Sequence, residues 1–236
     1  MQHLVTMFDR SHLARGIACL RSYLRCGGEH AFALCLEDGI AEKLPAGTEP
    51  LKLTDVEARW PGIAKTQASR TRRGYICSLK PFLIEMALDK VAGCDDVLYA
   101  DSDIFFFRDP RSIRSDAPLA AVRLPVALAA RIRIRFGGGV VLCKMSGREL
   151  AQLWQQRLEV QCCEEDNYDE DVLSFVADDI PTPGVNVARW ADYGGDVICY
   201  HFSEPAPDVS NPPAPVRLAL RAEYEAALEE ARQCSI

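Results

Sequence analysis

Two aspartates one residue apart, Asp101 and Asp103, follow directly on the apolar run Val97-Leu98-Tyr99-Ala100. If the chain is still extended there, their side chains point to the same side, so the two carboxylates can face one bound ion. Oxygen pairs of this kind suit a hard cation such as Mg²⁺ or Mn²⁺, which is usually shared with substrate phosphates. The spacing alone also allows a plainer arrangement, with Asp101 capping a turn and Asp103 solvated. The neighbourhood favours the ion, because Ile104-Phe105-Phe106-Phe107 follows where a surface loop would be polar. Three more segments carry chemistry. Ser78-Leu79-Lys80-Pro81 sets a cation at a helix start, Phe136-Gly137-Gly138-Gly139-Val140-Val141 lets backbone approach a ligand closely, and Asp169-Glu170-Asp171-Val172-Leu173 gathers acids on a helix's first turn. Tyr200-His201-Phe202 adds a histidine flanked by aromatics, a ligand or a satisfied core residue.

These residues need elements to hold them. Leu4-Val5-Thr6-Met7 predicts a strand, Asp9-Arg10-Ser11 a turn, and Ile17, Leu20 and Leu24 at helical spacing a helix that ends at Gly27-Gly28. Residues 31–36 form a second buried strand, so the chain opens β-α-β. A short strand at 51–53, a basic patch at Lys65, Arg70, Arg72 and Arg73, and a helix over 81–91 lead to the strand at 97–100. Beyond it come an apolar strand at 119–122, the alternating Arg131 to Arg135, the glycine-rich run, helices from about 147 to 159 and from the acidic turn at 166–171, and a helix over 216–233. Strands alternating with helices imply an α/β fold with a mostly parallel twisted sheet, in which function gathers at the carboxyl ends of strands. The division expected is a single domain over 1–204, a proline-rich linker over 205–215 and a C-terminal helix over 216–236, which packs back on the domain or contacts a second chain.

Composition narrows the classes. With 27 Lys and Arg against 34 Asp and Glu in 236 residues, the net charge of −7 speaks against nucleic acid as a partner. No uncharged apolar run reaches the roughly 18 residues of a membrane span, and the N-terminus lacks the basic start of a signal peptide, so the expected location is cytoplasmic. The 10 cysteines are scattered and mostly sit in apolar stretches, which predicts reduced, buried thiols rather than disulfides or a zinc site.

From Thr6 to about Ser203 the sequence resembles the GT-A glycosyltransferases, nucleotide-diphospho-sugar transferases related to glycosyltransferase family eight. The match lies in a Thr-x-Phe-Asp turn (Thr6, Phe8, Asp9), an Arg-Gly in the first helix (Arg15, Gly16), a Tyr-x-x-Thr-x-Lys-Pro segment (Tyr75, Ser78, Lys80, Pro81) and the Asp-x-Asp pair. The resemblance implies a metal-dependent enzyme, a hexosyltransferase, that moves a sugar from a UDP-linked donor to a hydroxyl on a glycan or lipid-linked saccharide, with retention. It implies Asp101, Asp103 and His201 as ligands of Mn²⁺ or Mg²⁺, and Thr6, Phe8 and Asp9 around the nucleobase and ribose. Arg72, Lys80, Asp101, Ser102, Gly138 and Gly139 would line the rest of the donor site, with Glu170 and Asp171 as the catalytic acids. Two departures stand out: Gly137 replaces the asparagine of a Phe-Asn-Gly-Gly pattern, and Glu170 replaces a glutamine.

Two alternatives stay open on the sequence. The departures at Gly137 and Glu170 would suit a GT-A module that binds a nucleotide or glycan without turnover. Haloacid-dehalogenase-type phosphatases also place Asp-x-Asp after an apolar strand, with Lys144 and Asp178-Asp179 as partners here, although Phe105 stands where that pattern wants Thr or Val. The arginines at 70, 72 and 73, and those at 131, 133 and 135, fit contacts to phosphate or an acidic acceptor, or a solvated face.

Overall fold

The computed structural model describes residues 1–91, 96–123, 135–160, 168–181, 185, 197–202 and 215–235. In chain order the strands and α-helices are β1 (Gln2–Phe8), α1 (Leu13–Arg25), β2 (Ala31–Cys35), β3 (Thr48–Lys52), α2 (Leu53–Arg59), α3 (Pro61–Thr66), α4 (Arg72–Ser78), α5 (Lys80–Lys90), β4 (Asp96–Ala100), β5 (Ile104–Phe106), β6 (Leu119–Arg123), β7 (Phe136–Lys144), α6 (Arg148–Val160), α7 (Tyr168–Val176), β8 (Asp178–Asp179), β9 (Cys199–His201) and α8 (Pro215–Ser235). Seven strands form one sheet in the order β3-β2-β1-β4-β7-β6-β8, and β5 and β9 form a separate ribbon. Within the large sheet only β7 runs against the rest, since it is antiparallel to both β4 and β6 while the other pairs are parallel.

Every residue of β1 is buried, as a parallel strand covered on both faces requires. Alternation divides its side chains: Val5 and Met7 join a cluster with Phe82 of α5 and Trp154 of α6, while Leu4 and Phe8 pack with Leu20 and Tyr23 of α1. Helix α1 stops as its glycines dictate. Gly27 takes φ +100°, and the amides of Gly28 and Gly27 donate to the carbonyls of Tyr23 (3.0 Å) and Leu24 (3.2 Å), a Schellman closure.

Among the described residues no helix is long and apolar enough to cross a membrane. Six cysteines are free there, with Cys19, Cys143 and Cys199 buried. Helix α8 docks on α1, with Arg21 3.0 Å from Glu230 and Arg25 2.7 Å from Glu223, and with Tyr224, Leu228 and Ala231 buried. Of the expected linker only Pro215, the first residue of α8, is described; the arginines at 131 and 133 lie outside the described residues.

Candidate active site

The end of β4 carries the acidic pair, but not in the way an extended chain would. The Asp101 amide donates to Gly139 O of β7 at 2.9 Å, and the chain then turns, with Ile104 N donating to Asp101 O at 3.0 Å. Asp101 and Asp103 therefore do not share a side through the alternation of an extended strand. The carboxylates converge instead because the turn and the β5–β9 ribbon bring them together. That ribbon pairs Ile104 with His201, and Phe202 N donates to Asp103 O at 2.9 Å. Ligand atoms of Asp101, Asp103 and His201 lie within 4.8 Å of one another. His201 Nε2 is 3.0 Å from Asp103 Oδ1 and 4.0 Å from Asp101 Oδ2. Burial works against a charged imidazole, yet the two aspartates outweigh it and raise the His201 pKa. Burial also opposes ionised Asp103, and the facing His201 outweighs it, so that carboxyl titrates low. Two carboxylates and an imidazole converging on one point, partly enclosed, are a donor set that fits Mn²⁺ or Mg²⁺, with the nitrogen favouring Mn²⁺ modestly.

Beside this cluster Lys80 opens α5 with its ammonium inside the protein. Its side chain is 5% exposed, 3.0 Å from Asp169 Oδ2 and 3.6 Å from Asp101 Oδ1. A cation at a helix N-terminus opposes the helix dipole. Desolvation also disfavours it, but Asp101 and Asp169 overcome that and raise the Lys80 pKa. Tyr99 meets the same carboxylate oxygen, donating its hydroxyl to Asp101 Oδ1 at 2.7 Å.

Gly138 makes room for this arrangement. A Cβ there would lie 2.7 Å from Lys80 Nζ and 3.3 Å from both Asp169 Oδ2 and Glu170 Cγ. The Gly138 amide donates to Glu170 Oε1 at 2.8 Å, which aims that carboxylate into the site, and burial raises the Glu170 pKa. The first turn of α7 is held by the Trp154 indole, which donates to Asp169 O at 3.1 Å. Residues i and i+2 of a helix stand about 200° apart, so the phase that buries Asp169 turns Asp171 to solvent. Asp171 is thus outside the cluster, and Asp169 and Tyr99, which the motifs did not single out, are inside it. The only local signal for Asp169 was its place in the acidic turn, and helix phase is what separates it from Asp171.

The first strand contributes less than expected. Thr6 and Phe8 are 0% and 2% exposed, and Phe8 packs so closely on Gly16 that a Cβ there would lie 2.2 Å from Phe8 Cδ1. Neither side chain presents a surface to a ligand. Asp9 does stand at the strand end, accepting from the Ser11 hydroxyl (2.6 Å) and the His12 amide (3.2 Å), with Arg72 Nη2 at 3.3 Å. Arg72 also reaches Glu37 at 2.9 Å. Next to it is a cavity of about 210 Å³ lined by Leu36, Leu53, Gln67, Arg72, Tyr75 and Ile76. Leu36 N donates to Phe8 O at 3.2 Å, which sets the cavity at the carboxyl ends of β1 and β2. Ser102 sits partly exposed in the turn between the two aspartates. Arg70 is structural: it donates to Ser78 Oγ at 2.6 Å and to Leu158 O, tying α4 to α6.

The phosphatase constellation does not assemble. Lys144 lies in register with Asp96 at the start of β4, about 16 Å of strand away from Asp101, and its ammonium donates to Asp116 O at 3.2 Å. Asp179 binds Arg123 at 2.9 Å on the sheet edge.

No family model matches the chain. YfnF, an uncharacterized protein of Bacillus subtilis (strain 168), is 23% identical over 243 residues, spanning 84% of this chain and 80% of that protein. Among solved structures, the galactosyltransferase LgtC in complex with donor and acceptor sugar analogs superposes with a TM-score of 0.56 at 14% identity, over 97% of this chain and 95% of that one. Apo mouse xyloside xylosyltransferase 1 gives a TM-score of 0.56 at 12% identity, over 90% of this chain and 100% of that one. With its mostly parallel sheet, helices on both faces and the acidic pair after β4, this chain has the GT-A fold.

Proposed function

We propose that the protein is a glycosyltransferase that moves a sugar, with retention, from a UDP-linked donor to a hydroxyl on a glycan or lipid-linked saccharide. The observation that carries this reading is the convergence of Asp101, Asp103 and His201 within 4.8 Å, beside a buried Lys80, at the carboxyl end of β4. The GT-A fold supports the reaction class, and the cavity beside Asp9 supports a nucleobase pocket walled by Leu36, Tyr75 and Ile76. Asp101, Asp103 and His201 would hold the divalent cation, whose charge stabilises the leaving diphosphate.

In the reaction the bond from the anomeric carbon to the β-phosphate oxygen breaks, and its electron pair leaves with the nucleoside diphosphate. The acceptor oxygen bonds to that carbon, and the acceptor proton passes to the leaving phosphate. Lys80 places a fixed positive charge where negative charge builds. Glu170, aimed by the Gly138 amide, sets a carboxylate by the anomeric carbon as it becomes positive. Tyr99 would steady Asp101 through its hydrogen bond to Oδ1, leaving Oδ2 on the side of His201.

The test is calorimetric titration with UDP, GDP and ADP, each with Mn²⁺ and with EDTA. The expected result is Mn²⁺-dependent binding of UDP in the micromolar range, lost in Asp101→Ala while the circular dichroism of that variant stays native. Binding that ignores both EDTA and the substitution would remove the metal from the proposal, and no binding of any nucleotide would remove the donor.

A further inference from the structure

Asp103 and His201 are held by a ribbon of two three-residue strands, β5 and β9. A two-stranded ribbon is at best marginally stable in water, so its geometry has to be imposed from outside. The imposing element is α8. Phe105, Phe107 and Tyr200 of the ribbon and its edges form one apolar cluster with Ala18 of α1 and with Tyr224 and Leu228 of α8, and Phe202 packs against it. Tyr224 stacks flat on Phe202, with 3.9 Å between ring centroids and 9° between planes, and stands edge-on to Phe105 at 5.6 Å. Phe202 directly follows His201, and Phe105 lies two residues past Asp103. One ring therefore touches both strands next to the two ligands. The Tyr224 hydroxyl is buried with no hydrogen-bond partner among the described residues, so the ring rather than the phenol makes the contact. On the side of α1 the helix is tied by Arg21 to Glu230 and by Arg25 to Glu223, and Arg25 also lies over the Phe105 ring at 5.4 Å.

We propose that Tyr224 is a positioning residue of the metal site: its ring, carried by α8, sets Asp103 and His201 at the separation one divalent cation requires. The proposal rests on the metal-site reading above. It makes the C-terminal helix a working part of the site although no residue of that helix is a ligand.

The experiment measures Mn²⁺ affinity directly, by electron paramagnetic resonance of the free ion, together with thermal melts, in wild type, Tyr224→Ala, Tyr224→Phe and Leu228→Ala. Tyr224→Ala is expected to weaken Mn²⁺ binding about 10-fold or more, the scale on which groups supporting metal ligands act. Tyr224→Phe keeps the ring and is expected to bind as wild type does. Leu228→Ala loosens the same helix one turn further on; it is expected to lower the melting temperature while leaving Mn²⁺ affinity unchanged. If Tyr224→Ala does not fold, Tyr224→Leu, which keeps apolar volume without a flat ring, takes its place with the same expectation. Wild-type affinity in the ring-deleted variant, or an equal loss in Leu228→Ala, overturns the positioning role and leaves the metal site standing. A wild type that binds no Mn²⁺ overturns both.

Discussion

Lys80 shows how a single side chain can hold a site together and strain it at once. Its ammonium sits 3.6 Å from Asp101 and 3.0 Å from Asp169, nearly buried, at a helix end whose dipole opposes it. Removing one partner of a buried ion pair leaves a charge uncompensated, which costs about 3–5 kcal/mol. Lys80→Met is therefore expected to lower unfolding free energy by about 3 kcal/mol, measured by urea melts, and Lys80→Met with Asp169→Asn is expected to recover part of the loss. An additive loss in the double variant would mean that the two groups do not depend on each other. The sequence marked Lys80 as a cation at a helix start, and it marked Asp101, Asp103, Glu170 and His201 as well. It marked Asp169 only as one acid of its turn and Tyr99 only as part of a strand, because what separates them from neighbouring polar residues is which way a strand end and a helix turn face.

At the scale of elements, the turn from β1 into α1 depends on Asp9. Its carboxylate caps the 3-10 turn Arg10–His12 and accepts from Ser11 and His12, with Arg72 alongside. Burial pushes its pKa up, but those hydrogen bonds outweigh it and hold the folded value far below the usual carboxylate range. An aspartate in the unfolded chain titrates near about 3.9, so the stabilisation is fully present above that pH and is lost as pH falls toward the lower folded value. Asp9→Ala is expected to cost about 1 kcal/mol at pH 7, and the gap from wild type is expected to narrow at pH 3. A gap that stays constant with pH would mean the carboxylate charge contributes nothing. Elements of this molecule were legible where the local signal was strong. Strands β1, β2 and β4 read as short apolar runs and helices α1, α5, α6 and α8 were expected, whereas the nine-residue β7 reads in sequence only as a glycine-rich run, and α2, α3 and α4 are six or seven residues each, under two turns, too short for a period to emerge.

Over the whole molecule the site is a meeting of distant parts: β4 and its turn, the first turns of α5 and α7, a glycine-lined stretch of β7, and a ribbon closed by β9. A ligand that binds only the assembled form must stabilise the fold by mass action. At one hundred times its dissociation constant, UDP with Mn²⁺ is expected to add about 2.7 kcal/mol. For a chain of this size that raises the melting temperature by about 5–10 °C. EDTA is expected to abolish the rise, and a rise that survives EDTA would count against a metal-dependent donor site. The sequence by itself determined the alternation of strands and helices, the chemical types of the candidate site residues and the order in which they occur, because these follow from local apolar patterning and from chemistry carried by single residues. The tertiary structure alone decided which acids of the 169–171 turn face inward, that β7 runs antiparallel, that the acidic pair converges through a turn, and that the last helix closes over the ribbon. Each of these depends on contacts between residues far apart in the chain, and no window of sequence contains them.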